Sequence, residues 1–308
     1  MTSVRSESSG KVRAADTAER AEERERAAAG QTSRHGPIAQ LLIAWSPLSA
    51  ILVAYGVAQW ITAPLGLGDG ADVNRVGAPL HIAGPARADE RLFGTVPTVW
   101  LQERLVDGSA HWYDAVAALV YVTHFVSIPV LTAIVWFCLR ERFREWLVAA
   151  LSFALVGITG YVLYPAAPPW LASERDDIGA VDRISHLGWE WLHLDPIARL
   201  TEVGQQGSNP VAAMPSLHAG AALLLALFLW PSVAVTARTV LIGYAFAMAL
   251  TLVYTGEHYV VDVLAGWAVA GLAVLAAALA RRASRGPTDP DPSRARPRPR
   301  PRTDEVLP

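Results

Sequence analysis

The chain has 308 residues, 52% of them hydrophobic and only 18% charged, with a formal net charge of -2 and a single cysteine, Cys138. A soluble domain carries about 25% charged residues, so most of this chain does not face water, and the near-neutral balance excludes a whole-chain case for nucleic-acid binding, which needs a basic domain. One cysteine also excludes an intrachain disulfide framework and a cysteine-based zinc site.

Residues 1–36 carry mixed charge, including the run AERAEERERAAAG. Such a segment cannot bury a core, so a disordered or loosely helical cytoplasmic arm is expected. Acids scattered among the bases ahead of the first apolar run do not make a signal peptide, and the first span is expected to stay attached. Uncharged stretches then follow at residues 36–68, 115–139, 146–173, 203–237, 239–256 and 263–280. Each reaches the threshold of about 18 residues for a membrane-spanning helix, because a rise of about 1.5 Å per residue carries it about 27 Å. The run AALLLALFLW beginning at Ala221 is apolar on every face, unlike a soluble amphipathic helix. The expected fold is therefore all-α, a polytopic bundle of six transmembrane helices over residues 37–283.

The connections set an orientation. Arg140, Arg142 and Arg144, then Arg238, then Arg281, Arg282 and Arg285 fall in alternate links, while residues 69–114 and 174–202 are rich in acids. The positive-inside rule places the arginine-rich links and both termini in the cytoplasm, with two long outer loops and a short outer turn at residues 255–258. In the second outer loop Ile184, Leu187, Trp191, Leu194 and Ile197 recur at helical spacing, and residues 92–105 of the first loop read similarly. Each is either an interfacial amphipathic helix or a loop helix packed on the bundle. From residue 284 the chain becomes a Pro/Arg tail, RARPRPRPR, expected to be disordered in the cytoplasm.

Ionisable groups at the edge of a span need a reason, since an Asp at a helix centre costs roughly 2.5–3.5 kcal/mol on insertion scales. His258 and Asp262 lie four apart at the start of the last span, on one helix face, where the carboxylate would orient the imidazole. His218 lies in AAMPSLHAG near the start of the fourth span, where Pro215 sets a helix start and exposed N–H groups suit an anion. Both spans enter from outside, so the three residues converge on a shallow site open to the outer leaflet. The remaining histidines, His124 among them, read as packed or interfacial.

Met214-Pro215-Ser216-Leu217-His218-Ala219, followed about forty residues later by His258-Tyr259-Val260-Val261-Asp262, resembles the type 2 phosphatidic acid phosphatase (PAP2) superfamily. With YPAAPPW (Tyr164 to Trp170) and GEHYVVDVLAGW, the chain is more narrowly similar to its inositolphosphorylceramide synthase-like, aureobasidin-resistance branch, over about residues 90 to 275. The resemblance implies a two-step, metal-independent phosphoryl transfer. His258 would attack phosphorus to give a phosphohistidine, Asp262 would hold and polarise it, and His218 would protonate the leaving oxygen. Water as second acceptor makes a phosphatase; a hydroxyl makes a phosphotransferase. The substrate would be a membrane lipid phosphate or phosphodiester, no cofactor is implied, and the expected location is a bacterial inner, plasma membrane with the site extracytoplasmic.

The chain departs from the broad superfamily where a Lys and an Arg-Pro pair are usual: it reads Pro168-Pro169-Trp170, and Leu252 stands six residues before His258 in place of an Arg. The narrower branch has Pro-Pro-Trp-like variants of this kind. Oxyanion stabilisation would fall to Ser216, helix-end N–H groups and an outer-loop arginine, for which Arg175 is the expectation. Trp170 either shapes a substrate pocket or anchors at the interface. Three other readings stay open on the residues alone: a two-histidine, one-carboxylate metal site, a transporter or channel, and an inactive lipid-binding relative.

Overall fold

The structure, a computed structural model, describes residues 36–66 and 71–284. The charged N-terminal arm up to residue 35 and the Pro/Arg tail from residue 285 lie outside the described residues, and with them the expectation of disorder there. The chain divides into two units, residues 1–49 and 50–308. The described part of the first is the opening of helix α1 (Pro37–Gly66), which Pro37 begins. The rest of α1 and every later helix belong to the second.

The described residues are all-helical, with isolated β-bridges and no strand. After α1 come α2 (Ala83–Phe93), α3 (Pro97–Leu105), α4 (Trp112–Cys138) and α5 (Phe143–Leu163). The second half holds α6 (Pro169–Glu174), α7 (Leu187–Trp191), α8 (Asp195–Gln206), α9 (Leu217–Leu229), α10 (Val235–Tyr254) and α11 (Val260–Ser284). Among the described residues five helices are long and apolar enough to cross a membrane: Trp45–Leu65 within α1, Trp112–Cys138, Arg140–Leu163, Val235–Tyr254 and Val260–Ser284. A shorter apolar helical stretch, Leu217–Ser232, sits among them.

The uncharged stretch 203–237 is therefore not one helix. Gly207, Asn209-Pro210 and Met214-Pro215 interrupt it, since clustered Gly and Pro favour turns whatever the hydropathy. Its first residues close α8, and α9 starts afresh with Ser216 as N-cap, the hydroxyl accepting from the Ala219 N–H at 3.3 Å. Pro215 thus precedes the cap rather than occupying the first helical position. From Leu217 to Leu229 the rise is about 20 Å, against a hydrocarbon core of about 30 Å.

The outer-loop helices also differ from a reading by periodicity. The expected single helix over 182–200 is split between α7 and α8, with His193 left-handed at φ 56 between them. Ile184 falls before either helix and is buried against Ala117 and Tyr254. Residues 92–105 are split likewise, because Gly94 ends α2 in the left-handed conformation and Pro97 opens α3.

The short helix α9 is the centre of the packing. It lies against α11 and α10, and α11 also packs on α5. Small residues make this approach possible: a Cβ on Gly266 of α11 would stand 2.0 Å from the Ser216 carbonyl oxygen. The Ser216 N–H donates to the Asp262 carbonyl at 2.9 Å, locking the start of α9 to the first turn of α11.

Candidate active site

Three sequence segments meet through their backbones. Ala166, in the extended link after α5, lies between His81 and residues 211–213: His81 N–H donates to Pro165 O, Ala167 N–H to His81 O, and Ala166 N–H to Val211 O, each at 2.9 Å. The Ala213 N–H returns to Ala166 O at 3.3 Å, and the Trp170 N–H reaches Gly256 O at 3.3 Å. The YPAAPPW segment is thereby stitched to the start of α9 on one side and to the turn before α11 on the other.

At that junction His218 Nδ1 lies 3.2 Å from His258 Nε2. On the far side of the His258 ring, Nδ1 stands 3.6 Å from Asp262 Oδ2. That oxygen accepts the Tyr259 N–H at 2.9 Å. Both His258 and Asp262 are buried, at 3% and 0% exposure. His258 Nδ1 and Asp262 Oδ1 carry no hydrogen bond, so the pair is aligned but open by several tenths of an ångström. A third histidine adjoins them. The His124 ring stands edge-on to His218 with centroids 4.3 Å apart, and its Nδ1 is hydrogen-bonded to the Tyr121 carbonyl. A carbonyl only accepts, so the His124 proton lies on Nδ1 and Nε2 is left as an acceptor.

The charged component comes from the second outer loop. Arg183 Nε and Nη2 each donate to Glu257 at 2.9 Å, a two-point carboxylate pair. Glu257 also accepts from Ser185 Oγ at 2.9 Å and Gln205 Nε2 at 2.8 Å. Burial opposes the guanidinium charge, but the Glu257 carboxylate outweighs it and raises the Arg183 pKa above its ordinary value. The guanidinium carbon also lies 5.1 Å from the Trp170 ring centroid, within cation–π range. This loop is held in place. Gln102 donates to the Asp182 and Tyr254 carbonyls and accepts the Asp182 N–H, all at 2.9 Å, and the Ile184 N–H reaches Thr255 O.

A cavity of about 790 Å³ opens onto these groups. His124, His218, His258, Arg183, Glu257 and Trp170 line it together with apolar Val122, Phe125, Ile197 and Leu200. Phe125 and Leu200 are largely exposed, so the cavity reaches the outer surface of the bundle. Among the described residues on its wall, Arg183 is the only arginine or lysine.

Of the residues expected from sequence, His218, His258 and Trp170 reach the cavity, and Asp262 stands directly behind His258. Ser216 is not on the wall: it is fully buried, its hydroxyl spent as the α9 cap. Arg175 is not there either. It is exposed, and its Nη2 is directed to the Leu65 carbonyl at 3.5 Å. Leu252, at the position of the missing family arginine, is fully buried in an apolar cluster with Met248 and Val263. Arg183, Glu257 and His124 were not singled out from sequence, since nothing local marks an arginine in an acidic loop or a histidine in an apolar helix. Among the described residues no group of three or more His, Cys, Asp or Glu side chains is arranged to hold a metal ion.

A family model described as PAP2 superfamily matches residues 86–276. Phosphoinositol dihydroceramide synthase of Bacteroides thetaiotaomicron is 28% identical over 203 residues, covering 61% of this chain. The match spans 64% of that protein, under two thirds of its length. No solved structure matches the chain.

Proposed function

The chain belongs to the PAP2 superfamily, and from that premise we propose that it is a membrane-embedded lipid phosphatase or phosphotransferase working through a phosphohistidine on His258. The contact between His218 Nδ1 and His258 Nε2 carries this reading. With the His258 proton on Nδ1, toward Asp262, the Nε2 lone pair is the nucleophile and the proton in the 3.2 Å contact belongs to His218. Phosphorus enters at Nε2, the N–P bond forms as the P–O bond to the leaving group breaks, and the His218 proton passes to the departing oxygen. Asp262 stabilises the imidazolium. In the second step water or an alcohol gives its proton to His218 as its oxygen attacks phosphorus, and the N–P bond breaks.

Arg183 takes the role expected of Arg175, stabilising the phosphate oxygens from the cavity wall, with Trp170 against its guanidinium face. The relative is named for making phosphoinositol dihydroceramide. By analogy the donor here is a phosphodiester lipid headgroup and the acceptor a lipid hydroxyl. The apolar part of the wall, Val122, Phe125, Ile197 and Leu200, supports a substrate delivered from the bilayer. We read Leu217–Ser232 as the sixth span, with both termini cytoplasmic and the site on the extracytoplasmic side of a bacterial plasma membrane. Its apolar composition and the arginine-rich alternate links support that topology.

Purified protein in micelles containing radiolabelled phosphatidylinositol or phosphatidate, in EDTA, is expected to transfer or release label and to acquire an acid-labile, base-stable phosphoryl group. His258→Ala abolishes both. Undiminished turnover by His258→Ala would sink the reading.

A further inference from the structure

Every backbone amide from Glu257 to Val261 has a partner. The Glu257 and His258 N–H groups donate to Leu252 O at 3.0 and 3.2 Å. Tyr259 N–H donates to Asp262 Oδ2 at 2.9 Å. The next two, Val260 and Val261, donate to Oδ2 and Oδ1 of Asp89 at 2.9 and 3.0 Å. Only beyond them does the ordinary helix ladder begin, with Val263 N–H to Tyr259 O at 3.3 Å. Asp89 belongs to α2, 171 residues before Val260 in the chain, and is completely buried.

A helix start leaves its first N–H groups unpaired and carries a partial positive charge, so it draws in any carboxylate within reach. Asp262 lies in the first turn of α11 and is such a carboxylate. Left alone, it would be recruited by the helix end. Asp89 occupies the Val260 and Val261 amides instead, so Asp262 commits a single oxygen, to Tyr259. That oxygen, Oδ2, also faces His258 Nδ1 at 3.6 Å, while Oδ1 and His258 Nδ1 have no hydrogen-bond partner, so the carboxylate keeps accepting capacity for the imidazole.

We propose that Asp89 is a positioning residue for the nucleophile: by capping α11 from another helix it keeps Asp262 available to the His258 imidazole. This rests on the reading of His258 as the nucleophile. Asp89 itself touches neither substrate nor the reacting atoms.

The test compares wild-type protein with Asp89→Asn, Asp89→Ala and Asp262→Asn, full-length and in detergent at pH 8. Three quantities are measured: kcat and KM on phosphatidylinositol micelles, the rate of His258 carbethoxylation by diethylpyrocarbonate read by mass spectrometry, and the melting temperature. Asp89→Ala is expected to lower kcat about 100-fold, the size of effect that a small misplacement of a reacting group produces, with KM within about twofold. It should slow His258 carbethoxylation as Asp262→Asn does. Asp89→Asn, which keeps one acceptor, should recover part of both. A wild-type carbethoxylation rate in the Asp89 variants overturns the proposal, as does a raised KM at unchanged kcat. If Asp89→Ala does not fold, Asp89→Asn decides on the same criteria. The carbethoxylation arm needs no turnover, so it stands apart from the functional reading, which an active His258→Ala would defeat by itself.

Discussion

His218 and His258 meet ring nitrogen to ring nitrogen at 3.2 Å, although 40 residues separate them in the chain. The meeting is enforced by backbone. Ser216 N–H is bonded to the Asp262 carbonyl, and Gly266 lets α11 come against the Ser216 carbonyl. The hydrogen between the two rings lies where a phosphorus atom would be attacked, so in the proposed chemistry His218 yields that place to the substrate and keeps its proton for the leaving oxygen. In that proposal general acid and nucleophile are prepared by one contact.

If His218 is the acid, its removal matters in proportion to the basicity of the leaving group. His218→Ala is expected to slow phosphoenzyme formation from an alkyl lipid phosphate by about 10²–10⁴-fold. With an aryl phosphate, whose leaving oxygen needs no proton, the loss should shrink to about tenfold or less. Single-turnover labelling of His258 with both substrates measures this, and an equal loss for the two would remove His218 from the acid role.

The two outer-loop arginines should behave differently. Arg183→Ala strips the cavity of its cation and leaves Glu257 buried without a counter-charge, at 8% side-chain exposure. Charge-assisted bonds of about 1.5–3 kcal/mol predict a KM rise of roughly 10- to 100-fold. An orphaned buried charge costs up to about 3–5 kcal/mol in stability. The double change Arg183→Met with Glu257→Met is expected to recover stability and not affinity. Arg175→Ala, exposed and away from the cavity, should leave both within error. Titration of initial rates against micellar substrate, with melting curves, separates these outcomes, and the reverse ranking of the two arginines would favour the sequence expectation.

Much of the architecture was legible because bulk hydropathy is local. The uncharged stretches around α1, α4, α5, α10 and α11 coincide with the long apolar helices. The His258/Asp262 spacing marked the pair, although His258 lies two residues before α11 begins and not on its face as expected, and the expected convergence with His218 is seen in the ring contact. What failed was information carried by backbone geometry or by distant partners. Hydropathy over 203–237 is blind to Gly207 and Pro215, so the break before α9 was hidden. The direction of Arg183 is fixed by Gln102, 80 residues from Asp182, while Arg175 lies nearer the motif yet points to Leu65. His124 reads as a lone histidine on an apolar helix until α9 is packed against it. Asp89 is one acid in an acidic connection until the start of α11 is packed against it.

Close packing of α9 on α11 gives a stability prediction with an internal control. Gly266→Ala would set a methyl 2.0 Å from the Ser216 carbonyl oxygen and force the two helices apart where His218 and His258 meet. A loss of about 1–3 kcal/mol or more is expected despite the helix propensity of Ala, together with loss of turnover. Gly271, on the same helix, has nothing within 4 Å of the position a methyl group would take. Gly271→Ala should be neutral or stabilising by about 0.5–1 kcal/mol. Melting temperatures of both variants in one detergent decide the matter; equal effects would mean that α9 and α11 do not approach as described.

Asp89 also predicts a pH dependence of stability whose sign is opposite to that of a salt-bridged aspartate. Burial pushes its pKa up to about 6, the Val260 and Val261 amides pull it partly back, and the Asp262 carboxylate on α11 adds a like-charge push. In the unfolded chain the group titrates near its ordinary value of 3.8. Between these two values the folded protein binds the proton more tightly than the unfolded chain does. By linkage, stability falls with rising pH in that window. The Asp89 contribution is fully present below about pH 4, is lost as pH rises through about 6, and is constant above. Asp89→Asn cannot titrate. The wild-type melting temperature minus that of Asp89→Asn, followed from about pH 4 to about pH 8, should therefore decline to about pH 6 and then level, because the other titrating groups are common to both proteins. A difference that instead climbs over the same interval would mean that ionised Asp89 is stabilised in the folded state, with the helix-end amides outweighing its burial.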